Sequence, residues 1–219
     1  MKKILLAGVL ASMLCTSQAY AAFEKQDYLL EGDNQTLYDS TTNLWWLDLG
    51  VTDGMSVAQV TMQTGAGGQF EGWRVASAAE VESLIRSIIP SLTFNQGQTV
   101  FDGVQYRPQA LEWISLLGGV GDANMSNAYG FYRSEGGTLQ MTGARTFGST
   151  NAYIFDDYNM NGYALTHAAP GYGVFLVSGT APIVGAPEVS EPSPSDVPAP
   201  FLGGLAMFGL ALMGIRRKR

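Results

Sequence analysis

Apolar residues recur at Val81, Leu84, Ile85 and Ile88, the i, i+3, i+4, i+7 stripe of a helix that buries one face. Ser77 and Glu80 form a capping box at its start and Pro90 stops it, which predicts a helix over 77–89. A second box, Ser56 with Gln59, opens a shorter helix over 55–63. A third is expected over 108–117, with proline in its first turn and Gly118 at its end. Elsewhere short apolar runs alternate with turns of Gly, Asn, Asp and Thr. These predict strands over 28–30, 37–39 and 44–47, then over 130–133, 138–146, 152–155, 162–166 and 173–177. Early helices and late antiparallel strands indicate an α+β fold, an antiparallel sheet with two or three short helices, as one domain over 22–180. About 160 residues suffice for a core of that kind.

The ends of the chain have a different pattern. Lys2 and Lys3 precede an apolar run over 4–14 that is too short to span a bilayer. Ala19-Tyr20-Ala21 then supplies a small-x-small cleavage site. The first 21 residues therefore read as a secretory signal, cut by signal peptidase between Ala21 and Ala22. Cys15 follows Leu14, where a lipoprotein signal wants a small residue, so the cysteine is expected to leave with the signal. At the other end, residues 181–200 form a linker rich in proline and serine. Residues 201–215 carry no charge and precede Arg216, Arg217, Lys218 and Arg219. As a helix the apolar run spans about 22 Å, and snorkelling basic side chains extend it to a membrane anchor over 201–219. The basic cluster sets that end in the cytoplasm and the domain outside.

Val197-Pro198-Ala199-Pro200, the glycine-rich apolar segment and the basic terminus, on a chain with a signal peptide, resemble the PEP-CTERM proteins. Ala199 stands where glutamate is typical. The resemblance covers about a tenth of the chain. It implies an exported protein of a Gram-negative bacterium, held transiently in the inner membrane and passed on by an exosortase-type sorting enzyme. The mature domain would then be periplasmic, at the cell surface or extracellular. Within the domain, Gly72-Trp73-Arg74-Val75-Ala76-Ser77-Ala78-Ala79-Glu80-Val81, with 44–48 upstream and 173–177 downstream, is similar to the Lcl C-terminal-type surface domains. Ala76 replaces their proline. That likeness implies a C-type-lectin-like fold and binding rather than catalysis, although a fold by itself does not fix a function. Arg74 and Glu80 are expected to form an ion pair.

Charge and composition narrow the chemistry. The chain is 46% hydrophobic and only 14% charged, with 27 glycines, which fits many tight turns. Between Ala22 and Asp196 six basic residues face all 19 acids, a net charge of −13. Such a surface repels phosphates and argues against nucleic-acid binding. One histidine, His167, and one cysteine, Cys15, do not make a zinc site or a redox dithiol within one chain.

Few residues remain to carry a reaction. His167 is the one neutral base, and no Gly-x-Ser-x-Gly elbow accompanies it. A glycosidase needs two converging carboxyl groups. Glu80 and Glu82 point to different helix faces, Asp156 and Asp157 are adjacent, and Asp39, Asp48, Asp53 and Asp102 are scattered in the sequence. Asp157, Asn159 and Asn161, followed by Gly162, match the first half of a calcium loop, but Ala168 stands where its bidentate glutamate belongs. The competing and preferred reading is a polar hairpin turn between strands at Phe155 and Tyr163. No cofactor is expected beyond this weak calcium candidate. Tyr158 and Tyr172, placed in loops by the pattern, are candidate ligand contacts, because a phenol offers a sugar an apolar face and a polar tip. Taken together, these features suggest a non-enzymatic exported domain that binds exopolysaccharide or surface partners. A carboxylate-dependent polysaccharide hydrolase and a self-assembling matrix component are the alternatives.

Overall fold

Two serines set where the first two helices begin. Ser56 Oγ accepts from the N–H of Gln59 at 3.2 Å while Gln59 Oε1 accepts from the N–H of Ser56 at 2.9 Å. Ser77 and Glu80 make the same exchange at 3.3 and 2.8 Å. Each box satisfies N–H groups that a helix start leaves unpaired. The computed structural model describes residues 23–90, 92, 99–101, 105–121, 125–160 and 162–185. The expected signal peptide, sorting motif, membrane anchor and basic tail, most of the expected linker, and Asn161 lie outside them. Among the described residues no helix is long and apolar enough to cross a membrane.

In chain order the elements are β1 (Phe23–Gln26), β2 (Thr36–Asp39), β3 (Leu44–Leu47), a 3₁₀ turn (Leu49–Thr52), α1 (Val57–Gln63), β4 (Arg74–Val75), α2 (Ala78–Ile88), β5 (Thr99–Phe101), α3 (Arg107–Leu117), β6 (Val120–Gly121), β7 (Met125–Arg133), β8 (Leu139–Phe147), β9 (Asn151–Asn159), β10 (Tyr172–Val174) and β11 (Leu176–Ser178). Among the described residues the fold is α+β, with three α-helices and two sheets. The first sheet runs β1-β2-β3-β11-β4 and the second β10-β7-β8-β9-β5, with β6 also on β7. Pairing is antiparallel except where β10 joins β7. The long hairpin β7–β8 pairs from Met125 with Phe147 to Arg133 with Leu139.

The second sheet is covered on both sides. On its inner face Ala128, Tyr132, Ala144 and Ile154 meet the apolar stripes of α2 and α3, including Leu84, Ile85, Trp113 and Leu117. On the other face Val57 and Val60 of α1, with Phe70 and Trp73, cover Tyr129, Phe131, Leu139 and Met141. That second cover reaches only part of the sheet, which leaves the far side of β8 and β9 with half-exposed residues.

Three strand expectations are corrected. Residues 28–30 form a bend, because the Asp33 carboxylate accepts from the N–H groups of Tyr28, Leu29 and Leu30 at 2.8, 3.0 and 2.9 Å. Local side-chain bonds of this kind compete with sheet pairing. Residues 162–166 form turns, with Tyr163 N–H bonded to Met160 O and His167 N–H to Ala164 O. The run over 173–177 is two strands in different sheets. It breaks at Phe175, whose N–H bonds Phe131 O in the second sheet while its carbonyl accepts from Ala76. The Phe175 ring is fully buried against Trp46, Trp113 and Tyr132, and this aromatic contact joins the two sheets.

Candidate functional site

The first candidate site begins with an irregularity in β9. Phe155 pairs with Gly143 and Tyr158 with Met141, so Asp156 and Asp157 together oppose one residue of β8. This is a β-bulge, and Asp157 accommodates it with a left-handed φ of 48°. In a regular strand adjacent residues point to opposite faces. Here both acids are buried, at 0% and 6% exposure. The expected hairpin turn at Asp157 is therefore absent: β9 continues to Asn159, and the Asp157 N–H donates to Thr142 Oγ1 at 3.0 Å.

The acids meet α2. Arg86 donates through Nη2 to Asp156 Oδ2 at 2.6 Å, through Nε to Glu82 Oε1 at 2.7 Å and through Nη1 to Leu92 O at 3.1 Å. Tyr132 donates its hydroxyl to Asp157 Oδ1. One carboxylate oxygen each from Glu82, Asp156 and Asp157 lies within 4.8 Å of the others. Burial pushes the Asp156 carboxyl up to about 7, the Glu82 carboxylate adds to the rise, and Arg86 opposes it. Asp157 is also raised, chiefly by burial, with the Tyr132 hydrogen bond pulling the other way. The same burial and the bond to Asp157 raise the Tyr132 phenol. Three carboxylates so placed can hold a proton or a hard cation.

The second candidate site is the open part of the sheet's other face. Phe147 and Tyr153 stack at 5.5 Å, Tyr153 and Phe155 at 6.5 Å, and Tyr158 meets Phe155 edge-on at 5.7 Å. The Arg145 guanidinium lies 5.4 Å from the Phe147 ring and 5.8 Å from that of Tyr153, within cation–π range. Gly143 is paired with Tyr129 on one side and Phe155 on the other, and those rings meet at 5.4 Å. Burial raises the Tyr129 phenol, against the pull of Arg145. The result is a row of partly exposed aromatic rings beside one cation, suited to stacking on flat apolar faces.

The residues anticipated from sequence fall in several places. Tyr158 and Tyr172 are strand residues, not loop residues. Tyr158 is 39% exposed at the end of the aromatic row. Tyr172, in β10, is stacked on Phe131 at 5.0 Å and Tyr129 at 5.2 Å, so it serves the packing of the sheet. Asn159 is exposed while Asp157 points inward to Tyr132, so these two do not wrap a common point as a calcium loop would. His167 packs against the rings of Tyr163 and Phe131. The Arg74–Glu80 pair forms at 2.5 Å. Glu82 and Asp156 do converge, a meeting that their sequence positions do not suggest; the i, i+4 pairing of Glu82 with Arg86 was the one local signal. Arg145, Phe147, Tyr153 and Phe155 as a face follow from register alone.

A crevice lined by Leu49, Gly50, Asp53, Gly118, Tyr129 and Gly171 holds about 10 Å³. That is room for about one water, and far below the roughly 300 Å³ of a small-molecule pocket. Comparison with known proteins adds no relative: no family model matches the chain, and neither does any curated protein or solved structure.

Proposed function

We propose that this chain is an exported envelope or matrix protein whose α+β domain, similar to lectin-like surface domains, binds polysaccharide without cleaving it. The observation that carries this reading is the row of Phe147, Tyr153, Phe155 and Tyr158 beside Arg145, on the part of the second sheet that α1 does not cover. Sugar rings stack on such faces through their C–H groups, while Tyr hydroxyls and the guanidinium bond their oxygens. The net charge of −13 between Ala22 and Asp196 favours a neutral polymer over an anionic one. The signal peptide and the PEP-CTERM-like tail supply the route: export, transient anchoring in the inner membrane, and release by an exosortase-type enzyme.

A hydrolase would need two carboxyl groups flanking an open cleft. Of the acids that converge, Asp156 and Asp157 are instead buried and Glu82 is only 28% exposed beside Arg86, which supports binding over catalysis. Retention of the purified protein in native gels containing exopolysaccharide tests the reading. Wild type should be retarded, and Tyr153→Ala and Tyr158→Ala should migrate freely. Equal mobility with and without polymer would overturn it.

A further inference from the structure

The Glu82–Asp156–Asp157 cluster lies on the opposite face of the sheet from the aromatic row, and polysaccharide binding makes no use of it. Fully ionised, three carboxylates and one guanidinium leave a net charge of −2. Arg86 occupies one oxygen of Glu82 and one of Asp156, and Tyr132 occupies one of Asp157. Two oxygens that remain, Glu82 Oε2 and Asp156 Oδ1, are buried and have no donor among the described residues. For Asp156 the exposure of the whole side chain is 0%, so bulk water does not reach its orphaned oxygen. A buried acceptor left in that state costs about 1–3 kcal/mol, and more when charged. The orphaned oxygen belongs to a carboxylate grouped with those of Glu82 and Asp157, and this points to a bound positive species.

The geometry fits an ion of a particular size and hardness. The 4.8 Å limit on the separation of the three oxygens is about twice a calcium–oxygen bond of roughly 2.4 Å, so one ion can touch all three. The donors are hard oxygens, with no histidine or cysteine among them. A divalent charge neutralises the cluster. Magnesium demands near-ideal octahedral geometry and keeps its waters, whereas calcium accepts irregular carboxylate shells. We infer that Glu82, Asp156 and Asp157 bind one calcium ion between α2 and β9. Glu82, with 28% of its side chain exposed, is the open side, where water completes the shell. The ion ties a helix to the sheet in a domain whose described residues include no cysteine to cross-link them.

The test uses the full chain in detergent, stripped with EDTA and held in near-neutral, chelator-free buffer. It is titrated with CaCl2 by calorimetry and with TbCl3 by luminescence under ultraviolet excitation, for which Tyr132 beside Asp157 is the antenna. The expected result is one site per chain, with Kd of about 10⁻⁴–10⁻³ M as in extracellular modules, and terbium emission that calcium displaces. Asp156→Asn should bind about tenfold more weakly or worse, and Asn159→Ala should bind as wild type does. Glu82→Gln, at the exposed edge, replaces Asp156→Asn if that variant fails to fold. A wild type that gives neither heat nor calcium-displaceable emission would overturn the inference and leave a shared proton between the two orphaned oxygens. Binding lost in Asn159→Ala but kept in the cluster variants would overturn it by moving the ion to the 157–161 loop.

Discussion

The ring of Phe175 lies against the backbone of Gly130, so closely that a β-carbon built on the glycine would fall 2.3 Å from it. Glycine at 130 is therefore a packing requirement, because its strand must pass directly over the ring that joins the two sheets. Gly130→Ala should cost about 1–3 kcal/mol through overpacking, and Phe175→Ala about 3–5 kcal/mol through the cavity it leaves. Urea denaturation of each variant measures both. Losses near zero would mean that the sheets are joined elsewhere.

Acid sensitivity should include a contribution from Glu80. Its hydrogen bonds from Arg74 hold the carboxyl down at about 2, helped by Ser77, although burial works the other way. The unfolded value is near 4.5, so the native state favours the ionised form. The stabilisation is complete above about pH 4.5 and is lost as pH falls through 2. Arg74 is 55% exposed, and solvent screening reduces the contribution to about 1 kcal/mol. Glu80→Gln should flatten the fall of Tm across that interval and leave the capping bond in place. An unchanged acid limb would show that the pair adds nothing.

Arg86 is the counter-charge of a wholly buried Asp156. Arg86→Met should cost up to about 3 kcal/mol above neutral pH, where Asp156 must ionise without its partner, and less at neutral pH, where the buried carboxyl holds its proton instead. Adding Asp156→Asn to that variant should restore part of the loss, the signature of a coupled pair. Equilibrium denaturation of the two single variants and the double variant gives the coupling energy directly, and additive losses would separate the two residues.

The two tyrosines should behave differently. Tyr172→Ala removes two ring stacks and should destabilise by roughly 2–3 kcal/mol. Tyr158→Ala, at the exposed end of the row, should stay within about 0.5 kcal/mol of wild type while losing polysaccharide retention. Thermal melts alongside affinity electrophoresis separate the two effects.

Intact mass of the protein in each cell fraction tests the two ends. Export and sorting predict a species that begins at Ala22 and ends near Pro200. A membrane species that still carries residues 201–219 would indicate a permanent anchor instead.

How much the sequence determined follows the range of the interactions involved. Ser56 with Gln59 and Ser77 with Glu80 are three residues apart, so both helix starts were legible, as were the apolar stripe ending before Ile89 and the pairing of Arg74 with Glu80. The signals at the two ends rest on the sequence alone. What the tertiary structure decided depends on partners far along the chain. One exception is local: residues 28–30 look like a strand, but the Asp33 carboxylate, three to five residues on, takes their N–H groups. Residues 173–177 look like one strand until Phe131 and Ala76 claim the two sides of Phe175. Asp156 and Asp157 look like a turn, and no local rule would turn neighbouring acids to one face. Only the register of β9 against β8 produces the bulge that does so, and only the packing of α2 on the sheet brings Glu82 and Arg86 to meet them. The aromatic row has the same origin, because strand alternation sets which side each ring takes but not which part of the sheet stays uncovered.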